Sequence, residues 1–572
     1  MKKTLCFSVL MMLATGYAAA QTDKKVTVSG SVQSDIMIAP MQDEAIGTSE
    51  YDNKYFLTNT YATLGLQSKW VDAGARFELT EWPMPGYHDA GNDFKGHGIP
   101  NFWVKAKLKK TDITAGTFYE QFGSGFILRS YEERTLGIDN SLLGVHVATS
   151  PVQGLQLKVL SGLQRNYWDW WGTNKNVVSG ADAEYEIDQL SPRLRDNGLH
   201  LSVGASWVNK FEENANPYVL LRGEHDEASQ TDKISAWNVA TPRFVNAFDA
   251  RLRFQGKGFS ALAEYARKGD DPNSLNSYTW GKGHAEMLSL TYAKKGLSLL
   301  AQTKRSENMG FRSICAESPL SKAAYINHLP AFTVDQTYAL AALYPYATQL
   351  EGEWAYQGSV AYKFKGKNAP KLKFNASVVN GLENVTLGGN EALMGTDWQN
   401  SAFFKQGDRY YMDLDVMYEQ KLSKKYEHHF MLMYQDYNKE KIQNEVDAGS
   451  IKSWIVVYEP KWKINKKLTL RGELQTLLTS HESDNWYFAL AELSVAPYLM
   501  FTVSDQIGRS EPTPGQYGDF EHYYNVGVTG NIKSHRLQLS FGRTRSGYNC
   551  NGGVCRYIPA SKGFRLSYNY NF

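Results

Sequence analysis

The stretch "FDARLRFQGKGFSALAEYAR", residues 248 to 267, decides the fold. Phe248, Ala250, Leu252 and Phe254 take every second position, with Asp249, Arg251 and Arg253 between them. After the polar turn at 255 to 258 the same period resumes at Phe259, Ala261, Ala263 and Tyr265. A period of two belongs to a strand with two unlike faces, and helical spacing is sustained nowhere in the chain.

Outward from this hairpin, a unit of about ten residues repeats from end to end. In "KVTVSGSVQSDIMI", residues 25 to 38, Val26, Val28, Val32 and Ile36 share one face, and Thr27, Ser29, Ser31, Gln33 and Asp35 share the other. The connections alternate as well. Short polar turns at 109–112, 150–154, 294–296, 464–467 and 531–535 join neighbours, whereas 209–244, 305–352, 380–409 and 506–521 are long. Short turns on one side and long loops on the other predict an all-β fold. It is a large antiparallel up-and-down transmembrane β-barrel of about 24 strands, within a range of about 18 to 26, with inward-folded loops. A soluble all-β protein would bury the apolar faces and leave fewer Arg and Glu at inward positions.

The compartment agrees. Residues 1–20, "MKKTLCFSVLMMLATGYAAA", carry two lysines, a short apolar run and small residues before Gln21. They read as a secretory signal cleaved after Ala20, leaving 21–572 as a single outer-membrane barrel domain. No mature segment approaches the ~18 apolar residues of a membrane helix. The longest near-apolar run, "YALAALYPYA" at 338–347, is interrupted by Pro345. Loss of Lys2 and Lys3 balances the mature chain at 59 basic and 59 acidic residues, which argues against nucleic acid as a partner.

The last nine residues alternate strictly, Phe564, Leu566, Tyr568, Tyr570 and Phe572 against Arg565, Ser567, Asn569 and Asn571. Such a strand is expected to close the barrel against Val26–Ile36, with Phe572 as the barrel-closing terminal residue. A final amphipathic strand ending in Phe resembles the signal by which the outer-membrane barrel assembly machinery recognises its clients. Three stretches, 116–145, 326–354 and 547–564, together resemble a porin-like outer-membrane barrel family of Bacteroidota that is functionally uncharacterised. The resemblance implies fold and location, with outer-membrane lipid and the assembly machinery as partners.

Candidate pore-lining and constriction residues fall in two sets. In "GTFYEQFGSGFILRSYEERTLGIDNSLLGV" the glycines Gly123 and Gly125 let the chain turn sharply, and Glu120, Arg129, Glu132, Glu133, Arg134 and Asp139 lie around them and after them. Opposed charges across a narrow lumen would sort small polar solutes; paired with one another, they would brace a closed plug. The second set lies at inward strand positions: Arg251, Arg253, Asp413, Asp415, Arg471 and Glu473. The connection 305–352 is long for a structureless loop, and its apolar run either packs inside the barrel as a partial plug or extends a strand above the membrane. His328 has no partner at metal-ligand spacing and reads as a packed or solvated histidine. Tyr167, Trp168, Trp170 and Trp171 read as an interfacial aromatic girdle, with a sugar-stacking surface site as the alternative.

Of the three mature cysteines, Cys550 and Cys555 flank "NGGV", where Gly552 and Gly553 allow a sharp turn. A disulfide at the tip of the last hairpin, outside the membrane, is expected, which would leave Cys315 unpaired; pairing of Cys315 with either terminal cysteine is the alternative. No metal or cofactor is called for. Neither G-x-S-x-G nor H-E-x-x-H occurs, and twelve histidines are scattered, so an outer-membrane hydrolase is disfavoured. The leading expectation is a non-enzymatic channel for passive diffusion of small polar solutes. The alternative is a plugged barrel acting as a surface-binding or secretion-associated protein. With the first strand so close to Gln21, only strand-derived loops are expected to fill the lumen.

Overall fold

Alternation of the kind seen at 248–267 runs through one sheet of 24 strands, in which each strand pairs antiparallel with the next. The computed structural model describes residues 26–572 except 39, 42, 44–53, 88–94, 169–175, 214–217, 227–230, 319–320, 384, 386–396, 444, 446, 480–484, 510–519 and 553. The signal segment 1–20 with its cleavage after Ala20, together with Trp170, Trp171 and Gly553, lies outside the described residues. The first strand, Val26–Ile38, pairs with the last, Ser561–Asn571, placing Val32 opposite Tyr570 and Ile38 opposite Phe564. The sheet is therefore a closed barrel with no free edge, and its 24 strands match the number expected.

Loops sort by length as the sequence implies. Gly256 leads to Phe259, Lys294 to Leu297 and Ile532 to His535 across two-residue turns at one end. The connections 119–141, 212–243 and 308–351 all lie at the other.

The two faces are equally unlike. Along Phe244–Gly256, Phe248 and Leu252 point outward and are exposed, while Val245, Ala247, Asp249 and Arg251 point inward and are buried. Leu414, Val416, Phe430, Leu432, Trp454, Leu474, Phe501 and Val503 continue the exposed apolar wall. A continuous wall of that kind is unfavourable in water and matched by lipid, and the closed sheet satisfies its backbone pairs internally. This is a membrane-spanning barrel.

The interior is not polar at every level. Inward-facing Met431, Met433, Ile455, Val457 and Leu477 are buried against Tyr338, Leu340, Ala341 and Leu343 of the long 308–351 connection. Strand Tyr426–Asn438 shows why alternation alone misses this: Phe430 and Leu432 face lipid, yet Met431 and Met433 on the other face are apolar too. An apolar inner face requires something apolar to cover it.

Candidate functional site: the lumen plug and its charged braces

Two strand-derived segments, 119–141 and 308–351, fold into the barrel at its long-loop end. Phe122, Phe126, Ile127 and Leu128 of the first join Met309, Phe311, Ile326 and Leu329 of the second. Together they cover inward Leu142, Leu160, Val178, Val208, Val245, Ala247, Ala266 and Ala285. Burying the larger of these side chains contributes roughly 1.5–3 kcal/mol each, so the cluster is a core in its own right. Farther along, Phe332 and Tyr346 pack on Ala355, Val379, Tyr410, Tyr411, Tyr437 and Ile451. The apolar run at 338–347 thus packs inside the barrel, in line with the first of its two expected alternatives.

Polar contacts stitch the segments together. Asn327 donates through Nδ2 to the carbonyls of Phe126 at 2.8 Å and Met309 at 2.7 Å. Arg129 N donates to the Ile326 carbonyl at 2.8 Å, and His328 N to that of Gly125 at 3.2 Å. Gly123 and Gly125, both with positive φ, let the chain bend there as their sequence suggested. The plug is also tied to the wall. Ser124 Oγ donates to Glu264 at 2.6 Å, Leu340 N to Gln475 Oε1 at 2.8 Å, and Tyr338 OH to Glu459 at 2.9 Å.

The charged residues of 119–141 pair. Asp139 lies 2.6 Å from Arg76 and 2.5 Å from Arg165; Glu132 lies 2.8 Å from Arg76 and 3.0 Å from Arg134. Glu78 completes the group at 2.6 Å from Arg76 and 2.8 Å from Arg165. Burial raises the Asp139 carboxyl, but Arg165 and Arg76 outweigh it and hold the group down at about 2. Although the carboxylates of Glu78, Glu132 and Asp139 come within 4.8 Å of one another, three guanidiniums already neutralise them, so the group reads as a brace and not a cation site. Glu120 sits apart, 2.8 Å from His146 and 2.9 Å from Lys158; despite burial, those partners lower its carboxyl to about 2. Arg129 stacks over Tyr131, and Glu133 reaches Asn551 Nδ2 at 2.7 Å.

Strand positions scatter round the wall. Arg251 meets Asp182 at 2.5 Å, Asp249 at 2.9 Å and Glu184 at 3.2 Å, while Arg253 is exposed nearer the short turns. Asp413 and Asp415 are buried on another arc, where Asn375 donates to Asp413 at 3.3 Å. Arg471 bonds Glu459 at 2.8 Å and also pairs with Glu473. These residues do not converge with the 119–141 group on a single ring. Sequence reading missed Arg76, Glu78 and Arg165, although "ARFELT" places Arg76 and Glu78 on one inward face two residues apart.

Two further expectations are refined. Trp168 turns inward, its ring against Gly96 and 5.6 Å from Arg165, and with Tyr167 it lines the braced pocket, so neither forms a lipid girdle. The disulfide Cys550–Cys555 forms, and Cys315 is a buried free thiol. The stapled hairpin, Gly547–Asn551 with Val554–Ile558, does not simply top the barrel, however. It folds onto the plug: Asn551 bonds Glu133, Gly552 N donates to Asp335 at 2.9 Å, and Arg556 bonds the Leu136 carbonyl.

A family model described as a family of unknown function, DUF6029, matches residues 1–572. The chain belongs to that family. No curated protein matches it. Among solved structures, this DUF6029 member is similar to the P pilus usher (PapC) translocation pore, with 9% identity, TM-score 0.40 and 95% and 99% of the two chains covered. It is also similar to the siderophore receptor PirA of Pseudomonas aeruginosa, with 9% identity, TM-score 0.41 and 95% and 80% covered. A third is OccK8 (OprE) of Pseudomonas aeruginosa, with 10% identity, TM-score 0.33 and 96% and 98% covered.

Proposed function

We propose that this protein is a plugged, non-enzymatic outer-membrane barrel whose long loops and inward segments act as a surface-binding or secretion-associated device. Free passive diffusion of small polar solutes is the secondary reading. The observation that carries the proposal is the apolar packing of 308–351 across the lumen, from Phe311 and Ile326 on one arc of the wall to Leu340 and Leu343 on another. An open porin has no use for Met431, Met433, Ile455 and Val457 at inward positions; a seated plug does. The paired charges of 119–141 support the same reading, since Glu120, Glu132 and Asp139 are each neutralised instead of facing a solute path.

Polar wall at the seam, where Asp35, Asn525, Gln538 and Ser567 line a cavity, favours the secondary reading of a narrow residual path. Planar-bilayer recording separates the two. The wild-type protein is expected to be silent, and a variant with residues 332–346 replaced by a short Gly-Ser linker is expected to show stepwise conductance. Retained heat-modifiable gel migration would show that the variant still folds as a barrel. Large steady conductance from the wild type overturns the plugged reading.

A further inference from the structure

The plug does not reach the whole wall. Beside the seam, under the stapled hairpin, a cavity of about 600 Å³ remains, within the range typical of small-molecule sites. Its wall is inward strand surface, including Asp35, Gln538 and Arg565, and its roof is Arg545 with Gly547–Asn549 of the hairpin.

The charges here are arranged differently from those of the braces. Arg76, Arg165, Arg251, Arg471 and Arg543 each meet carboxylates within salt-bridge distance. Arg545 meets no carboxylate at that distance among the described residues. Its Nη1 donates to the Ser546 carbonyl at 2.9 Å, its guanidinium lies 5.9 Å from the Trp486 ring, and its electrostatic neighbours are the hydroxyls of Tyr344, Tyr523 and Tyr557. Burial accordingly pushes its guanidinium below the usual arginine range. Arg565, lower in the same cavity, donates to the hydroxyls of Thr544 at 3.0 Å and Ser561 at 2.7 Å. The acid in the cavity, Asp35, is engaged by Gln33 Nε2 at 3.0 Å and Ser567 Oγ at 2.6 Å. A cationic, water-accessible pocket with neutral amide and hydroxyl groups around it is the environment that a planar, bidentate guanidinium uses to hold a carboxylate or phosphate.

We propose that the seam cavity binds a small organic anion, carrying a carboxylate or phosphate group, with Arg545 as its principal anchor and Arg565 as a second. The neutral groups Gln538, Ser540 and Asn525 are placed to take the hydroxyls of such a solute. The proposal rests on the plugged reading, because the inward position of the hairpin supplies the roof.

Calorimetric titration of the purified, oxidised full-length barrel in a neutral detergent tests it, with citrate and glucose 6-phosphate as anionic probes and glucose as the neutral control. Binding of at least one anion, no binding of glucose, and a loss of affinity of about tenfold or more in Arg545→Gln are expected. Arg545→Lys, which keeps the charge and loses the fork, should fall between the two. Both variants are to be compared with the wild type in heat-modifiable migration and in thermal melting, so that a collapsed hairpin is recognised. Absence of binding by either anion, equal binding of glucose, or unchanged affinity in a folded Arg545→Gln overturns the site. A silent bilayer with no anion binding removes the site and leaves the plug, whereas a freely conducting wild type removes the plug itself.

Discussion

Asn140 donates through Nδ2 to Nε2 of His328 at 3.2 Å, joining the two segments that fill the lumen. The bond requires a neutral imidazole, since Nε2 must accept. Burial pushes His328 down to about 3, and Arg129 and Lys322 act in the same direction. In the unfolded chain the same group titrates near about 6.5. Between those values the unfolded state holds more protons, so the histidine's contribution to plug stability is fully present above about pH 6.5 and is lost as pH falls toward 3.

Acidification from neutral pH to about 5 is therefore expected to loosen the contact before the carboxylates contribute. Asp139 and Glu120, held down at about 2, lose their stabilisation only as pH falls through and below the ordinary carboxylate range. Hydrogen exchange of 324–330 against pH is the measurement. His328→Gln, which keeps an acceptor and cannot titrate, should flatten the response above about pH 5; an identical slope in that variant would refute the assignment.

The brace makes a second prediction. Arg165 bonds both Glu78 and Asp139, and all three are largely buried. Arg165→Met leaves two carboxylates short of a partner, at a cost of about 3–5 kcal/mol. Removing one acid as well, in Arg165→Met with Glu78→Gln, restores the charge balance and should recover much of that loss, since Arg76 keeps Glu132 and Asp139. Thermal melting of the wild type and these two variants checks it, and a double variant no more stable than the single one would show that the charges are not coupled.

Reduction of Cys550–Cys555 offers a third. The loop it closes is short, so its constraint is worth about 2 kcal/mol, and the effect should be local. Freed, the hairpin would release Asn551 from Glu133 and Gly552 from Asp335, one contact on each inward segment. Limited proteolysis should then cut within 547–558 while the barrel's melting temperature stays nearly constant. Resistance to cleavage in Cys550→Ser with Cys555→Ser would mean that packing alone holds the hairpin.

What the sequence shows clearly is what repeats. Val26–Ile38 and Phe248–Tyr265 reveal the strand period, and the contrast of two-residue turns with connections such as 308–351 reveals which end is which. The brace is harder to read because its members, Arg76, Asp139 and Arg165, come from a strand, a two-residue inward strand and a loop, and no local pattern relates them. The plug was legible only as an anomaly: a long connection with an apolar run, and strands such as "HHFMLMYQDY" that are apolar on both faces. The inward fold of the Cys550–Cys555 hairpin had no sequence signal, since Glu133 and Asp335 lie hundreds of residues from their partners.

Closure of the barrel supplies the last prediction. Gly30 N donates to the Phe572 carbonyl and Phe572 N to that of Gly30, both at 3.0 Å, and the Phe572 ring lies over Gly30 and 5.3 Å from Tyr570. A Cβ at Gly30 would fall on that ring and within 2.9 Å of the Thr63 carbonyl, which belongs to the neighbouring strand and cannot step aside. Gly358, also mid-strand, has only a carbonyl at 3.9 Å and tolerates a methyl. Gly30→Ala is therefore expected to lower the yield of assembled, heat-modifiable barrel in membranes, while Gly358→Ala leaves it unchanged. Deletion of Phe572 should reproduce the Gly30→Ala defect, because both remove the same seam contact. If the deletion assembles normally and Gly30→Ala does not, the crowding at Thr63 is responsible and the aromatic contact is dispensable for closure.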